Sequence, residues 1–83
     1  TVEKRLKDGS FLLSGKLKVD TLNERYGLGI PESDEYDTLA GFILYNNESI
    51  PSPSDTIAVG NFKVKILRMS STRIILVHLS IQE

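Results

Sequence analysis

Hydrophobic and polar positions alternate most clearly in the last third of the chain. Phe62, Val64 and Ile66 are separated by lysines, and this period of two predicts a strand with one buried face. The segment 73–81 follows a Ser-Ser-Thr turn and starts apolar on both faces. An apolar start on both faces predicts a central strand, or a strand whose second face is covered by a partner. One predicted face of this strand carries Ile75, Val77, Leu79 and Ile81. The other predicted face carries Ile74, Leu76, His78 and Ser80.

Two short helices are predicted in the middle of the chain. Asp20 is a candidate N-cap for a helix over residues 21–26, since its carboxylate can accept hydrogen bonds from the free N–H groups that follow. Gly27 can end this helix in the left-handed conformation. Asp37 is a candidate N-cap for a second helix over residues 38–45. The residues that share one face of this second helix are Leu39, Phe42 and Ile43.

Shorter strand signals complete the element order. The segments 2–7 and 11–13 flank Asp8-Gly9, a pair that favours a tight hairpin turn and could equally lie at a bulge. Ile57 and Val59 suit a further short strand before Gly60. The predicted order is strand, strand, helix, helix, strand, strand, strand, which is typical of the α+β class.

Composition limits the classes of protein. Residues 1–83 are enough for a single domain, and the absence of cysteine excludes disulfides and thiolate sites. The net charge is -1 and the ten Lys and Arg residues are scattered, so no nucleic-acid partner is expected. The longest apolar run, residues 74–77, is far shorter than the roughly 20 residues of a membrane span. With no signal-peptide pattern at its start, the fragment is expected to be soluble, and a place in a larger membrane protein stays open.

The residues offer little for catalysis, which needs a base or nucleophile with an orienting partner. His78 is the single histidine. The favoured interpretation is a partly exposed strand residue, because the sequence places no second titratable group beside it. The alternative is a lone general base or a ligand. Gly27 and Gly29 form a Gly-x-Gly, but Pro31 follows where a dinucleotide site needs a helix. We therefore expect no enzyme, and no residue is assigned to a cofactor.

Two charged groups have alternative interpretations. Glu32, Asp34, Glu35 and Asp37 form the densest charge cluster, and carboxylate oxygens suit a hard divalent cation. Their spacing is not that of a calcium-binding loop. The favoured interpretation is a solvated loop whose negative charge stabilises the N-terminus of the following helix. An adventitious cation site is the alternative. The lysines at 63 and 65 are interpreted as solvent-facing, with contact to an acidic neighbouring surface as the alternative.

Several short segments occur in an order that matches a known family. No single segment is specific, but their order and spacing are. They are Asp8-Gly9-Ser10-Phe11-Leu12, Gly15, Leu22-Asn23, Tyr36-Asp37-Thr38-Leu39-Ala40-Gly41, Ile50-Pro51, Asp55, Phe62, Val64, Arg73-Ile74 and Val77. Over roughly residues 3 to 81, the chain resembles the C-terminal transporter-associated domain of CorC/HlyC-type proteins.

The chain departs from the family pattern at turns. Ser54 stands where the family usually has Gly, Ser71-Thr72 replaces a common Asp-Gly turn, and the stretch 55–62 looks about one residue short. The resemblance implies a small sandwich of two short helices packed on a mainly antiparallel sheet, a fold related to part of the FAD-binding fold of certain oxidases. This kinship is an analogy of fold, and the Gly-rich loops of a phosphate-binding flavin site are absent from the sequence.

The resemblance also implies a functional setting. In the family, this domain follows a transmembrane domain and a pair of CBS modules, on the cytoplasmic side of the inner membrane, in proteins linked to magnesium and cobalt efflux or named hemolysins. The implied role is non-catalytic modulation of ion transport through contacts with the CBS and transmembrane domains, with homodimerisation left open. Ile74, Leu76 and His78 are the candidate interface. A small ligand-binding sensor for a nucleotide, flavin or divalent cation is the alternative.

Overall fold

Five strands and two helices form the fold of residues 1–82, which a computed structural model describes. The element order confirms the predicted one. No helix in the described part of the chain is both long and apolar enough to cross a membrane. The elements are β1 (Glu3–Arg5), β2 (Phe11–Ser14), α1 (Val19–Tyr26), α2 (Leu39–Tyr45), β3 (Thr56–Val59), β4 (Phe62–Ser70) and β5 (Arg73–Ile81).

The five strands form one antiparallel sheet in the order β1-β2-β5-β4-β3. β5 lies at the centre, which confirms the central-strand prediction made from its apolar start. Its neighbours β2 and β4 both pair with it antiparallel, although β2 lies far away in sequence. The sheet therefore joins the N-terminal hairpin to the C-terminal strands.

The predicted N-terminal hairpin is confirmed, but it turns at Lys7-Asp8, and Gly9 lies in a bulge, the second of the two positions predicted for the Asp8-Gly9 pair. Gly9 has a φ of 87°, which a glycine adopts without steric cost. Its N–H donates to the Leu6 carbonyl at 3.0 Å, and the Leu6 N–H donates to the Ser10 carbonyl at 2.8 Å. The turn brings β1 and β2 into register with Arg5 opposite Phe11.

The helices cover one face of the sheet and enclose the core. Helix residues such as Leu22, Leu39 and Phe42 pack with alternate residues of the strands. The predicted alternation of β4 is confirmed, since Phe62, Val64 and Ile66 are all buried. The other buried apolar residues are Phe11, Leu13, Val19, Leu28, Ile30, Ile43, Val59, Ile74, Val77 and Leu79.

Both predicted N-caps are wrong by one or two residues. α1 begins after Lys18, and α2 begins after Thr38, whose hydroxyl accepts from the Gly41 N–H at 3.1 Å. The two helix starts are held by each other: the Val19 N–H donates to the Asp37 carbonyl at 2.9 Å, and Lys18 and Thr38 form an antiparallel bridge. This long-range pairing decides where each helix starts, whereas the Asp20 carboxylate accepts from the next N–H in the chain. The predicted end of α1 is confirmed by Gly27, with a φ of 61°.

The alternation of β5 is broken by a register shift, which corrects the predicted faces. Ile66 pairs with Val77, Arg68 with Leu76, and Met69 with Ile74, so Leu67 and Ile75 are each left without a partner. One extra residue in a strand moves all that precedes it to the other face. Ile74 is therefore 3% exposed and lies in the core, not on the second face with Leu76.

Two of the turns that depart from the family pattern hold non-glycine residues in left-handed backbone. Ser54 has a φ of 77° and Ser71 a φ of 55°. The Ser54 N–H donates to the Ile66 carbonyl at 2.8 Å, and the Ile66 N–H donates to the Asp55 carbonyl at 2.9 Å. These bonds hold Ser54 in a conformation that glycine adopts more readily.

Candidate functional site

The sheet has a second face, opposite the helices, on which residues 1–82 place no further layer. We call this the uncovered face. Its residues alternate with core residues along the strands and are exposed or half-buried. They are Lys4, Leu12, Thr56, Ala58, Lys63, Lys65, Arg68, Leu76, His78 and Ser80.

The charge on the uncovered face has one sign. Lys4, Lys63, Lys65 and Arg68 are exposed, and none of the strand residues on this face is acidic. The one ion pair among residues 1–82 lies on the covered side, between Arg25 and Glu3. The face therefore presents a positive potential to whatever approaches it.

One end of the uncovered face is more apolar than the other. Half-buried Leu76 and Ile75 lie beside Val2, which is 42% exposed, and line a depression of about 250 Å³ with Ser14 and Arg68, among others. This apolar end has a basic side chain beside it. An apolar patch with a charged rim is typical of a surface that contacts another protein or domain.

The other end carries a chain of three polar side chains, Asp8, Ser10 and His78. The Ser10 hydroxyl donates to Asp8 Oδ1 at 2.5 Å, and the Ser10 N–H donates to the same oxygen at 2.9 Å. These two bonds, with a smaller attraction from His78, hold the pKa of the Asp8 carboxyl below its usual range. His78 Nε2 lies 2.9 Å from Ser10 Oγ, and Ser10 itself is 4% exposed.

The order of these three groups excludes a serine nucleophile of the usual kind. In such a site, histidine accepts the serine proton and a carboxylate orients the histidine. Here the Ser10 hydroxyl donates its hydrogen bond to the carboxylate, so Ser10 Oγ accepts a hydrogen bond from His78 Nε2–H. The chain holds the hairpin turn against β5 and fixes the His78 ring.

Sequence reasoning identified His78 but missed Ser10 as its partner. The Asp-Gly-Ser turn and the strand around His78 are 68 residues apart, and only the β2–β5 register brings them together. A signal was present in the sequence, because Ser10 directly precedes the second strand of the N-terminal hairpin. The pairing of that hairpin with β5 could not be predicted from the sequence.

The fold brings only two of the four acidic loop residues to one cleft. Glu32 and Asp37 line a cleft of about 130 Å³ together with Asp20 and Lys18, while Asp34 and Glu35 do not line it. Glu32 also accepts from Asn23 Nδ2 at 3.2 Å. Among residues 1–82, no three acidic or histidine side chains converge as metal ligands would.

The three candidate interface residues are separated by the fold. Ile74 lies in the core and cannot contact a partner. Leu76 and His78 lie on the uncovered face, at its apolar end and beside its lysines respectively. For these two residues the interface stays a prediction.

A family model decides the affiliation that the ordered segments and the fold suggested. The model of CorC_HlyC, the transporter associated domain, matches residues 4–83. The chain belongs to this family. Its core positions and turns are those on which the resemblance rested, from the Asp8-Gly9 hairpin to Val77 of β5.

Relatives of this CorC/HlyC domain are much longer proteins. UPF0053 protein YhdT of Bacillus subtilis is 34% identical over 65 residues, which cover 78% of this chain and 13% of the relative. UPF0053 protein YegH of Escherichia coli is 31% identical over 67 residues, again 13% of its length. A polyamine export protein of Haemophilus influenzae is 22% identical over 68 residues. The chain thus spans about an eighth of the first two relatives.

Solved domains share its fold along their whole length. The transporter associated domain of a CBS domain protein from Porphyromonas gingivalis has a TM-score of 0.82 and 30% identity, with 100% of both chains covered. The CorC_HlyC domain of a Xylella fastidiosa hemolysin, solved in complex with Mg²⁺ and Mn²⁺, has a TM-score of 0.78 and 25% identity over 100% of both chains. These likenesses confirm the α+β arrangement of two helices on an antiparallel sheet.

Proposed function

We propose that this domain is a non-catalytic regulatory part of a membrane ion transporter and modulates efflux of divalent cations such as magnesium and cobalt. It lies on the cytoplasmic side of the inner membrane, near the C-terminus of a longer chain, and packs against that chain's CBS and transmembrane domains. Support comes from the family description as transporter associated and from a CBS domain protein among the related structures. A related Neisseria meningitidis structure is described as the associated region of a putative Mg²⁺ and Co²⁺ transporter.

The observation that carries this proposal is the apolar end of the uncovered face. A sheet in a domain of this size is stabilised by layers on both faces or leaves one face for water. Half-buried Leu76 and Ile75 beside exposed Val2 leave apolar surface that nothing in residues 1–82 covers. A neighbouring module that packs there in one transport state and not in another would bias the transporter by the free energy of that contact.

The test is made in the full-length transporter. Deletion of residues 1–83 is expected to change ion efflux or its regulation while membrane insertion is retained. Leu76→Ser is expected to reproduce part of this change, because it removes apolar contact area without emptying the core. Ile50→Ser is the matched control, since Ile50 is 56% exposed in a loop away from the sheet face. If deletion leaves both efflux and its regulation unchanged, the proposed function is wrong.

A divalent-cation sensor is the second candidate. It is favoured by the Mg²⁺ and Mn²⁺ complex of the Xylella fastidiosa relative and by the cleft that Asp20, Glu32 and Asp37 line here. Calorimetry of the 83-residue chain with Mg²⁺, Mn²⁺ and Co²⁺ tests it. Heat of binding that disappears in Asp37→Asn and persists in Asp34→Asn would support the sensor. The absence of heat with all three ions would eliminate it.

A further inference from the structure

The polar end of the uncovered face holds a cluster of hydrogen-bond donors. Thr56, Lys63, Lys65, His78 and Ser80 line a depression of about 280 Å³. The strand register builds it, because Lys65 stands between Thr56 and His78, and Lys63 stands opposite Ser80. The two lysines and Thr56 can donate hydrogen bonds to a ligand. The Ser80 hydroxyl already donates to the Lys63 carbonyl at 3.4 Å, and His78 Nε2 is already bonded to Ser10 Oγ.

No carboxylate of residues 1–82 forms an ion pair with the two lysines of this cluster. The single ion pair of these residues, Arg25 with Glu3, lies on the other side of the sheet. Asp8 is close enough to His78 for an electrostatic attraction, and it already accepts two hydrogen bonds from Ser10. Lys63 and Lys65 are like charges on one strand face, and an anion between them would offset their repulsion.

The proton position of His78 follows from its partner. The Ser10 hydroxyl donates its one hydrogen bond to Asp8, so the hydrogen bond between His78 and Ser10 requires a hydrogen on Nε2. The Nε2–H of His78 is therefore engaged with Ser10 and is not available to an anion. The groups facing His78 are Lys65 across the strand pair, Leu12 on the other strand, and Asp8 through Ser10.

We propose that this depression is a binding site for a phosphate group, held by Lys63 and Lys65 with Thr56 as a further donor, and that His78 and Ser80 form its wall. A tetrahedral dianion offers several oxygen acceptors around one centre, which suits ammonium and hydroxyl donors arriving from two adjacent strands. A carboxylate offers two oxygens in one plane and half the charge. Ammonium groups bind phosphate as point charges, so the site does not require a fixed geometry of its lysines. The site goes beyond the proposed regulatory function and does not depend on it.

The first test is a titration of the isotope-labelled 83-residue chain with inorganic phosphate, followed by amide chemical shifts, at constant ionic strength maintained with chloride. Domains of this length have been solved on their own, so the chain is a suitable sample. Shifts are expected at the amides of Lys63, Lys65, His78 and Ser80. Lys63→Gln with Lys65→Gln is expected to weaken binding by about tenfold or more, the effect of losing two charge-assisted hydrogen bonds. The control is Lys7→Gln with Lys18→Gln, which removes the same charge at exposed positions elsewhere.

The second test separates the two sources of phosphate. Vesicles of phosphatidylcholine are compared with vesicles that also contain phosphatidic acid, by co-sedimentation of the chain. Binding that requires both phosphatidic acid and the two lysines assigns the site to a lipid headgroup, and binding of inorganic phosphate alone assigns it to a soluble phosphate. Shifts that are equal for phosphate and for acetate, or that survive the double lysine substitution, overturn the proposal. Either result leaves the transport test of the proposed function unaffected.

Discussion

The two faces of the central strand differ in what they contact, although they are formed by neighbouring residues. On the covered face, Val77 and Leu79 are fully buried beneath the two helices. On the uncovered face, Leu76 and His78 are half-buried and stand among basic side chains. The covered face is closed by this chain alone. The uncovered face has an apolar end and a cationic end, and neither has a partner within residues 1–82.

This difference separates stability from function in one short strand. Burial of an apolar side chain stabilises the fold in proportion to the area removed from water. Residues of the covered face therefore account for the core, whereas residues of the uncovered face are available for recognition at little cost to folding. The family assignment rests mainly on the first group, and the proposals rest on the second.

The largest expected effect compares two leucines on opposite faces of β5. Leu79→Ala is expected to destabilise the fold by about 3 to 4 kcal/mol, because it leaves a cavity in a fully buried position. Leu76→Ala is expected to cost about 1 kcal/mol or less, since only part of its side chain is removed from water. Urea denaturation measures both. Equal losses would mean that the uncovered face is as closely packed as the core.

A second prediction concerns Gly15, where the chain leaves the sheet for the helix layer. A Cβ at this position would lie 2.2 Å from the Ile74 carbonyl oxygen and 3.0 Å from Ala40 Cβ. Gly15→Ala is therefore expected to destabilise the fold by about 2 to 3 kcal/mol, because backbone must move. Denaturation of Gly15→Ala with Ala40→Gly is the control. Full rescue by the second change would show that the side chain, and not the carbonyl, is the obstacle.

The third prediction uses the pH dependence of the contact between β1 and α1. The Glu3 carboxylate accepts hydrogen bonds from Tyr26 Oη at 2.6 Å and from Arg25 Nη1 at 2.6 Å. These bonds hold the pKa of Glu3 below its usual value, and the bond from Tyr26 has the larger effect. A lowered pKa in the folded state means that the contact stabilises the fold above the unfolded pKa, about 4.3, and that this contribution is lost as the pH falls through the folded value.

This contribution can be isolated by substitution. Glu3→Gln is expected to flatten the acid limb of the stability profile, measured as the urea midpoint between about pH 6 and about pH 2.5. Asp34→Asn is the control, since Asp34 is exposed in the acidic loop. Asp8→Asn is the counterpart on the uncovered side, because the pKa of Asp8 is also lowered, there by Ser10. A profile unchanged by Glu3→Gln would contradict the assigned role of the contact.

The smallest expected effect lies outside both faces, at Ser54. A residue other than glycine pays a steric cost in left-handed backbone, and Ser54 has a φ of 77°. Ser54→Gly is expected to stabilise the fold by about 0.5 to 1 kcal/mol, the steric gain less the entropy of glycine in the unfolded chain. Ser52→Gly, at an exposed position without a positive φ, is expected to destabilise slightly. A loss in stability for Ser54→Gly would show that its side chain compensates for the strain.

Sequence patterns predicted the elements better than their ends. The hairpin at Asp8-Gly9, the glycine end of α1 and the alternation of β4 depend on residues close in sequence, and all three are confirmed. The N-caps failed because the two helix starts pair with each other across the chain, which no local preference for Asp reveals. The candidate site was predicted less well, since the contact of His78 with Ser10 needs the sheet order.

The sequence by itself determined the class, the order of elements and the family, because periodicity, turn residues and ordered segments are local properties. Only the tertiary structure decided that Ile74 lies in the core and that Leu76 does not. One extra residue at Ile75 reverses the faces of β5, and such a register shift is set by the pairing of β5 with β4. The same pairing places Lys63, Lys65 and His78 around one depression, since side chains from separate strands meet only where the sheet aligns them.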